Sequence, residues 1–394
     1  MRQAPPAVLC SLSVTRALRI TLPLALFLAA TPPSSLPAPA PAPEQIDAIF
    51  AAVTAPGSPG LAVLVREAGH TVFAHGYGVR DLREGAKIDT RTNFRLASST
   101  KQFTAMAVML LVRDGKLAYD TRLTDVFPEF PAYGRAITIR NLLNHTSGLP
   151  DYENLMLEAQ ARPNSLAPIW TDTRQIRDPE VLELLERQTA TKFAPGTRWE
   201  YSNSGYVVLG LVVAKISREP FGDFLRDRIF APLGMQNTVV YIKGKNDVPN
   251  RAFGYSTGGN RLWRETDQSP TSATLGDGGI YSSVDDLAKW DQALRDHTLL
   301  GAQEMRAALA PVVAPEGEPT GPGGEPAAYG FGWFLNPYKG HSRMWHEGDT
   351  SGFRTTIQRF TADDLTIVVL ANRTDLDPGA LADRAADLFF AAPH

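Results

Sequence analysis

Cysteine is almost absent from this chain of 394 residues. The only one, Cys10, lies in an N-terminal segment that we expect to be removed, so the remaining chain would hold no thiol for a disulfide, a metal thiolate or a cysteine nucleophile. A lipid-modified cysteine would follow the apolar core of that segment, whereas Cys10 precedes it. The lack of thiols fits an oxidising compartment and excludes cysteine chemistry.

Long apolar runs are lacking as well. The apolar segment 20–30 is too short to span a bilayer, and residues 1–30 contain three arginines and no acidic residue. This pattern predicts a secretory signal peptide over 1–30, followed by a linker rich in proline and alanine over 31–43. We therefore expect a periplasmic or secreted protein, with no membrane span once the signal is removed.

An excess of positive charge is missing too. The chain has 39 lysines and arginines against 42 aspartates and glutamates, a formal net charge of −3, and it would be more negative without residues 1–30. It therefore has no electrostatic basis for binding nucleic acid, and a small molecule or a peptide is the expected partner. Its composition, 43% hydrophobic and 21% charged, suffices for a large core. We expect a single domain over 44–394.

Helical periodicity dominates the middle of the chain, and strand patterns lie at both ends. Helices are predicted near 46–50 and over 98–112, 179–188, 204–217, 221–229 and 378–390. Strands are predicted over 60–65, 71–74, 329–335, 343–347, 353–360 and 365–371. The pattern predicts an α/β fold of the α+β type: an antiparallel sheet built from the N- and C-terminal segments, flanked by helices, with a large and mostly helical insertion. The sheet part would comprise 44–93 and 270–394, and the helical part 94–269.

Ser98 and Lys101 are the first pair of residues that indicates chemistry. They are three positions apart at the head of the apolar helical segment 98–112, so they would share one helix face. A serine hydroxyl is a poor nucleophile at neutral pH, and a lysine among apolar side chains can lose its proton and act as a base. The alternative is a helix-capping serine with an incidental lysine.

Two further short motifs follow this pair in the chain. Tyr201 and Asn203 lie in a turn flanked by glycine and proline, just before a predicted helix. His346 and Gly348 lie in a predicted strand. Each motif is weak alone, and their order along one chain is the informative feature.

The order S-x-x-K, Y-x-N, H-x-G resembles the serine β-lactamase and penicillin-binding superfamily. The chain is most similar to the class C type of branch, which includes D-alanyl-D-alanine carboxypeptidases, family VIII esterases and D-amino-acid-specific peptidases. The segments 142–150, 276–288 and 329–333 are also similar to segments common in that branch. The resemblance covers essentially all of the chain after the predicted signal and linker.

The resemblance implies a role for each motif residue. Ser98 would attack a carbonyl and form an acyl-enzyme. Lys101 and Tyr201 would share the removal of its proton and the delivery of a proton to the leaving group. Asn203 would hydrogen-bond the amide or ester part of the substrate.

The H-x-G region would contribute backbone groups and one side chain. Backbone N–H groups of Ser98 and Asp349 would hold the oxyanion, and Gly348 would let the substrate lie against bare backbone. Many β-lactamases have lysine where His346 stands, and that lysine helps to hold a substrate carboxylate. Histidine at this position therefore argues against β-lactamase activity in particular. Arg354 shares the strand parity of His346 and could supply the missing charge; the alternative is an ordinary solvated arginine.

Other candidate residues receive different interpretations. Ser256 lies in a G-x-S-x-G pattern typical of α/β-hydrolase nucleophiles, but no buried strand is predicted before it and no helix after it. His145 is expected to organise a loop by hydrogen bonding. The histidine spacings indicate no metal site, and the resemblance implies neither a metal nor an organic cofactor.

These observations predict an exported serine hydrolase that forms an acyl-enzyme on Ser98 and hydrolyses amide or ester bonds. The preferred interpretation is a D-Ala-D-Ala carboxypeptidase-like or β-lactamase-related hydrolase, with peptides ending in D-amino acids or small esters as substrates. A promiscuous small-ester carboxylesterase is one alternative. A ligand-binding or self-assembling protein without activity on the same scaffold is the other. Substrate choice is expected to lie in the loops 151–173 and 311–326.

Overall fold

Most strands of the computed structural model lie towards its two ends and most helices in its middle, and the model describes residues 41–161, 168–258 and 262–390. The predicted signal peptide and most of the linker lie outside these residues. The α-helices are α1 Pro43–Ala51, α2 Lys101–Arg113, α3 Leu123–Val126, α4 Ile139–Leu143, α5 Tyr152–Ala161, α6 Asp178–Glu186, α7 Asn203–Ser217, α8 Phe221–Leu225, α9 Val284–Arg295, α10 Ala302–Leu309 and α11 Pro378–Phe390. Single turns of 3-10 helix cover Ala97–Thr100 and Ala132–Ala136, and a π-type turn covers Arg226–Phe230.

The β-strands form one large sheet and several small ones. The strands are β1 Leu61–Glu67, β2 His70–Tyr77, β3 Val79–Asp81, β4 Ala86–Lys87, β5 Phe94–Arg95, β6 Val239–Val240, β7 Tyr255–Thr257, β8 Trp263–Glu265, β9 Ile280–Ser282, β10 Arg343–Thr350, β11 Phe353–Phe360 and β12 Leu365–Ala371. The main sheet has the order β10-β11-β12-β1-β2, and all of its neighbouring strands are antiparallel.

The main sheet joins the two ends of the described chain. β1 and β2 come from the N-terminal part, and β10, β11 and β12 come from the C-terminal part. β1 and β12 are almost wholly buried and rich in β-branched residues, which suits strands covered on both faces. The predicted fold class is therefore confirmed, whereas the predicted domain boundaries stay a prediction.

Alternate residues of β1 belong to two separate apolar clusters. Leu61 and Val63 pack with the terminal helices α1 and α11, through side chains such as Phe50. Ala62 and Leu64 point the other way, into the large cluster that includes α2, α7 and α9. The period of two along the strand thus places the sheet between the terminal helices and the helical part.

Helix α2 forms the centre of the helical part. Its residues from Lys101 to Leu111 are all buried, in agreement with its apolar composition on every side, and it packs against α7. The 3-10 turn before it, Ala97–Thr100, contacts β10 and β11 of the sheet. The first residues of α2 therefore lie where the sheet and the helices meet.

The predicted strand over 329–335 is wrong. Tyr329 and Phe334 form an isolated bridge with each other, so the backbone turns back on itself, and Phe334 forms one further isolated bridge with Trp345. Gly332 causes this turn, because its φ of +76° lies in the left-handed region. A side chain at Gly332 would also lie 2.8 Å from the carbonyl oxygen of Lys101, so the loop packs closely on the start of α2.

No helix within 41–161, 168–258 and 262–390 is both long and apolar enough to cross a membrane.

Candidate active site

Ser98 lies in the 3-10 turn that leads into α2, directly after a residue in an unusual conformation. Ala97 has a φ of +48°, which L-residues rarely adopt, and it is buried between the sheet and the helices. Such backbone strain persists where the surrounding structure imposes it, and it frequently marks functional sites. The turn leaves Ser98 partly exposed on the wall of a cleft of about 650 Å³.

The cleft combines aromatic walls with an acidic rim. Trp199, Tyr201 and Phe334 supply apolar surface beside His346. The segment 316–322, part of the predicted specificity loop 311–326, lines the same cleft and contributes two glutamates. The loop 151–173 contributes no lining residue to this cleft among the residues that the structure describes.

Lys101 is fully buried, and its amine has three oxygen neighbours. Its Nζ lies 3.0 Å from Ser98 Oγ, 2.8 Å from Asn203 Oδ1 and 3.1 Å from the carbonyl oxygen of Asp277. The amide and carbonyl oxygens can only accept hydrogen bonds, so they occupy two N–H groups of the amine. The remaining direction of the amine faces Ser98 Oγ. The arrangement can therefore take a proton from the serine hydroxyl.

Tyr201 lies beside this amine and rests on His145. The centroid of its ring is 4.9 Å from Lys101 Nζ and 4.3 Å from the centroid of the His145 ring. His145 Nδ1 accepts a hydrogen bond from the N–H of Ser202 at 3.1 Å, and its carbonyl accepts one from the N–H of Glu200. The expected loop-organising contacts of His145 are therefore present, and they hold the turn that carries Tyr201.

Burial keeps both histidines near the site uncharged. Burial first, and then the positive charge of Lys101, lower the pKa of His145 well below its ordinary value. The same two causes lower the pKa of His346 to about 3. Both imidazoles are therefore neutral at pH 7.

His346 is held in one tautomer by its two neighbours. Its Nδ1 lies 2.6 Å from the carbonyl oxygen of Glu347, which can only accept, so Nδ1 carries the hydrogen. Its Nε2 then accepts from the hydroxyl of Tyr329 at 3.3 Å. This neutral, fully engaged ring is not a cation for a substrate carboxylate.

Asn203 is the first residue of α7, and an acid positions it. Its backbone N–H donates to Asp151 Oδ2 at 2.8 Å, which satisfies one of the free N–H groups at the start of the helix. Sequence reasoning missed Asp151, Asp277 and Tyr329 as parts of the site. The only available signal was their place in or beside the segments 142–150, 276–288 and 329–333, which the family resemblance had marked.

Gly348 is required by a close contact with the turn that carries Ser98. A Cβ there would lie 2.1 Å from the carbonyl oxygen of Leu96 and 2.5 Å from Thr355 Oγ1. The space on the Cβ side of the glycine is thus filled by the chain segment before Ser98, and the expectation that Gly348 leaves bare backbone for a substrate stays a prediction. The glycine lets the turn that carries Ser98 pack tightly on β10.

The backbone N–H of Asp349 points to the free edge of β10. Trp345 exchanges backbone hydrogen bonds with Phe334 on the side away from β11, and backbone groups alternate along a strand. The N–H of Asp349, four residues on, therefore also faces away from β11. It borders the cleft together with Ser98, whose own N–H lies in the first turn of a helix and has no acceptor within it.

A comparison with known families agrees with this geometry. The model of the family described as Beta-lactamase matches residues 46–392. The chain belongs to the beta-lactamase family of serine hydrolases. The family places a serine nucleophile on this fold, and the expected family and enzyme class are confirmed.

Several members of the family resemble this chain over most of its length. Penicillin-binding protein 4* of Bacillus subtilis (strain 168) is 30% identical over 84% of this chain and 72% of that protein. A D-aminopeptidase of Brucella ovis is 28% identical over 80% of this chain, but this match spans only 56% of that enzyme. The crystal structure of a D-amino acid amidase from Ochrobactrum anthropi SV3, complexed with L-phenylalanine amide, has 26% identity, a TM-score of 0.72 and covers 88% of this chain and 98% of that one.

Arg354 does not share a face with His346, so the parity argument is wrong. In the β10–β11 hairpin Asp349 pairs with Arg354, whereas His346 pairs with Ile357. Residues directly opposite in an antiparallel pair lie on the same face, so Arg354 lies on the face of Asp349. Its guanidinium is 3.3 Å from the carboxylate of Asp349. It therefore forms an exposed ion pair and does not replace the missing lysine.

Ser256 lies outside the cleft of this beta-lactamase family member. It is in the short strand β7, where it pairs with Arg264 of β8. The two strands form a hairpin, which is not the strand-turn-helix of an α/β-hydrolase nucleophile. Within the described parts of the chain, no group of three or more histidine, cysteine, aspartate or glutamate side chains is placed to bind a metal.

Proposed function

We propose that this enzyme forms an acyl-enzyme on Ser98 and hydrolyses amide or ester bonds. The observation that carries the proposal is the position of Lys101 Nζ, 3.0 Å from Ser98 Oγ, with two of its N–H groups engaged by Asn203 and the Asp277 carbonyl. In this arrangement Lys101 takes the hydroxyl proton as Oγ forms its bond to the substrate carbonyl.

The tetrahedral oxyanion would accept hydrogen bonds from the N–H groups of Ser98 and Asp349. Loss of one such donor typically lowers the rate by about 100-fold to 1000-fold. As the carbon–nitrogen or carbon–oxygen bond breaks, the leaving amine or alkoxide takes a proton that Lys101 and the phenol of Tyr201 relay. Water then attacks the ester on Ser98, the same two groups remove its proton, and the acid product leaves with Oγ protonated again.

The charge of the cleft favours neutral or cationic acyl groups. Glu316 and Glu318 are exposed on the rim, and the loop that bears them is held to the turn before Tyr201 by the N–H of Glu316, which donates to the Thr197 carbonyl. Among the described residues that line the cleft, Arg198 is the one lysine or arginine, and it lies 4.0 Å from Glu200. A free substrate carboxylate would find more repulsion than attraction there.

The substrates that fit best are therefore amides with a free amine, such as amides and short peptides that begin with a D-amino acid. The names of the D-aminopeptidase and D-amino acid amidase relatives support this choice. Peptides ending in D-Ala-D-Ala and penicillins carry a carboxylate and fit less well. Small esters are the second candidate, because Trp199, Tyr201 and Phe334 offer apolar walls that need no charge on the substrate.

Export to the periplasm or medium is part of the proposal. It is supported by the three arginines and the short apolar core within residues 1–30. The mass of the protein recovered from the periplasm or the medium tests it: we expect a chain that has lost about 30 residues, and recovery of the full-length chain in the cytoplasm alone would contradict export.

Intact-mass spectrometry with a fluorophosphonate probe tests the nucleophile. The wild-type protein should gain one adduct, Ser98→Ala should gain none, and Ser256→Ala should react as the wild type does. An unmodified wild-type protein would favour a scaffold without activity, and an adduct on Ser98→Ala would refute the assignment. Turnover of D-alanine p-nitroanilide, p-nitrophenyl butyrate, a D-Ala-D-Ala peptide and a chromogenic cephalosporin then ranks the substrate classes.

A further inference from the structure

A second large cavity lies apart from the cleft of Ser98. It has a volume of about 820 Å³ and is bordered by α6, α7 and the segments 241–245 and 273–275. None of its lining residues also lines the cleft. Its floor is apolar and consists of Leu211, Ala214, Phe221, Tyr241, Ile242 and Leu275. A concave apolar surface of this size is typical of small-molecule sites.

The rim of this second cavity is strongly basic. Arg174, Arg177, Lys243 and Lys245 are exposed there. Arg174 pairs with Glu180 at 2.9 Å. Across 41–161, 168–258 and 262–390, the guanidinium of Arg177 and the amines of Lys243 and Lys245 have no carboxylate within 4 Å, although the backbone N–H of Arg177 donates to Glu180. The rim therefore carries positive charge that no acid of the described chain neutralises.

Asp178, in the wall, does not cancel this charge. It is only 5% exposed, and its Oδ1 accepts a hydrogen bond from the N–H of Leu275 at 3.0 Å. Burial, and then the nearby charge of Asp277, raise the pKa of Asp178 well above its ordinary value. The charged form of this buried carboxyl is therefore disfavoured, and its oxygen is already engaged by the backbone of the wall.

We propose that this cavity binds an amphipathic carboxylate, namely a medium-chain alkyl carboxylate. Its hydrocarbon chain would cover the apolar floor, and its carboxylate would lie among Arg177, Lys243 and Lys245. Burial of the hydrocarbon chain of the ligand supplies the affinity. The unpaired cations on the rim favour a ligand whose head group is negatively charged. The site is independent of Ser98, so it does not rest on the proposed catalytic function.

Isothermal titration with decanoate, below the concentration at which it forms micelles, tests the site. The full chain is used both free and after Ser98 has reacted with a fluorophosphonate, and both forms should bind decanoate with the same affinity. Decan-1-ol and decyltrimethylammonium, which share the chain but lack the anion, should bind at least about tenfold more weakly. Loss of binding after labelling would place decanoate in the cleft and overturn the proposal. Equal binding of the three compounds, or no binding of decanoate at all, would also overturn it.

A pair of variants tests the rim. Lys243→Gln with Lys245→Gln should weaken decanoate binding about threefold to thirtyfold, the sum expected for two exposed ion pairs. The matched control, Lys87→Gln with Lys116→Gln, removes the same charge from exposed positions outside the cavity and should leave the affinity unchanged. Equal effects of the two pairs would overturn the proposal.

A third variant tests the floor. Ala214→Phe would fill part of the cavity and should abolish binding, while normal labelling of Ser98 shows that the variant is folded. Unchanged binding in a folded Ala214→Phe protein would contradict the site.

Discussion

The backbone of Gly348 lies so close to Leu96 that a Cβ on the glycine would be 2.1 Å from the leucine carbonyl oxygen. Leu96 directly precedes the strained Ala97 and Ser98, so this contact fixes the height of the nucleophile turn over β10. Four predictions follow from contacts of this kind, each in a different part of the site.

Gly348→Ala should displace the turn that carries Ser98. The added methyl group cannot fit without a backbone shift, so we expect a loss of about 1–3 kcal/mol in the free energy of unfolding and a much slower reaction with a fluorophosphonate. Thermal unfolding and the labelling rate measure the two effects. Gly301→Ala is the control, because its φ is −65° and a Cβ there meets no atom closer than 3.5 Å. Labelling of Gly348→Ala at the wild-type rate would contradict the contact.

Asp151→Ala should weaken catalysis through Asn203. Without the carboxylate, the start of α7 loses the acceptor of its first N–H, which costs about 1 kcal/mol of stability. The Asn203 amide that holds Lys101 would also be less well placed, and we expect a fall of about tenfold to a hundredfold in kcat/KM. Asp151→Asn keeps an acceptor oxygen and should retain most of the activity. Equal losses in both variants would show that the charge, and not the cap, is what matters.

His346 should make the protein less stable in mild acid. Its pKa is about 3 in the folded protein against 6.5 ordinarily, so between these values the unfolded chain binds a proton that the folded chain does not. Stability is therefore lost as the pH falls below 6.5, by roughly 2–3 kcal/mol between pH 7 and pH 4.5 from this residue alone.

Urea unfolding of His346→Gln across this pH range measures that loss. The variant should lose less stability on acidification than the wild type, by the same roughly 2–3 kcal/mol. His70→Gln changes an exposed histidine and should follow the wild-type curve. Parallel curves for His346→Gln and the wild type would show that the ring is not held in its neutral form.

Glu316→Gln with Glu318→Gln should change the charge preference of the cleft. We expect kcat/KM to fall about threefold to tenfold for D-alanine p-nitroanilide and to rise for its N-succinyl derivative, because the rim no longer attracts the amine or repels the carboxylate. Both effects should shrink at high salt. The control pair, Glu158→Gln with Glu219→Gln, removes two exposed carboxylates elsewhere. An unchanged ratio of the two substrates would refute the role of the rim.

Local patterns were sufficient for most of the regular elements. The strands Phe353–Phe360 and Leu365–Ala371 and the helix Pro378–Phe390 have the predicted bounds, because apolar period and length decide them within one segment. The segment 329–335 has an equally strong strand pattern, but the left-handed φ of Gly332 and its packing on α2 convert it into a loop. Local strand propensity carries no information about the contact between Gly332 and α2.

The face of the sheet on which Arg354 lies is a second feature that local sequence patterns do not predict. Residue numbers of equal parity lie on one face only within a single strand, and across a hairpin the register decides the face. The two-residue turn between Thr350 and Phe353 sets that register, and it places Arg354 beside Asp349. The side on which a charge lies therefore depends on pairing that the sequence pattern does not specify.

The sequence by itself determined the family, the fold class and the motif residues that meet at the cleft, such as Ser98, Lys101 and Tyr201, because these follow from short motifs in a fixed order and from local periodicity. Only the tertiary structure decided how those residues are used: that the Asp277 carbonyl completes the surroundings of Lys101, that His346 is neutral, and that Gly348 faces Leu96. Each of these depends on the burial and distance of groups far apart in the chain, and such quantities exist only once the chain is packed.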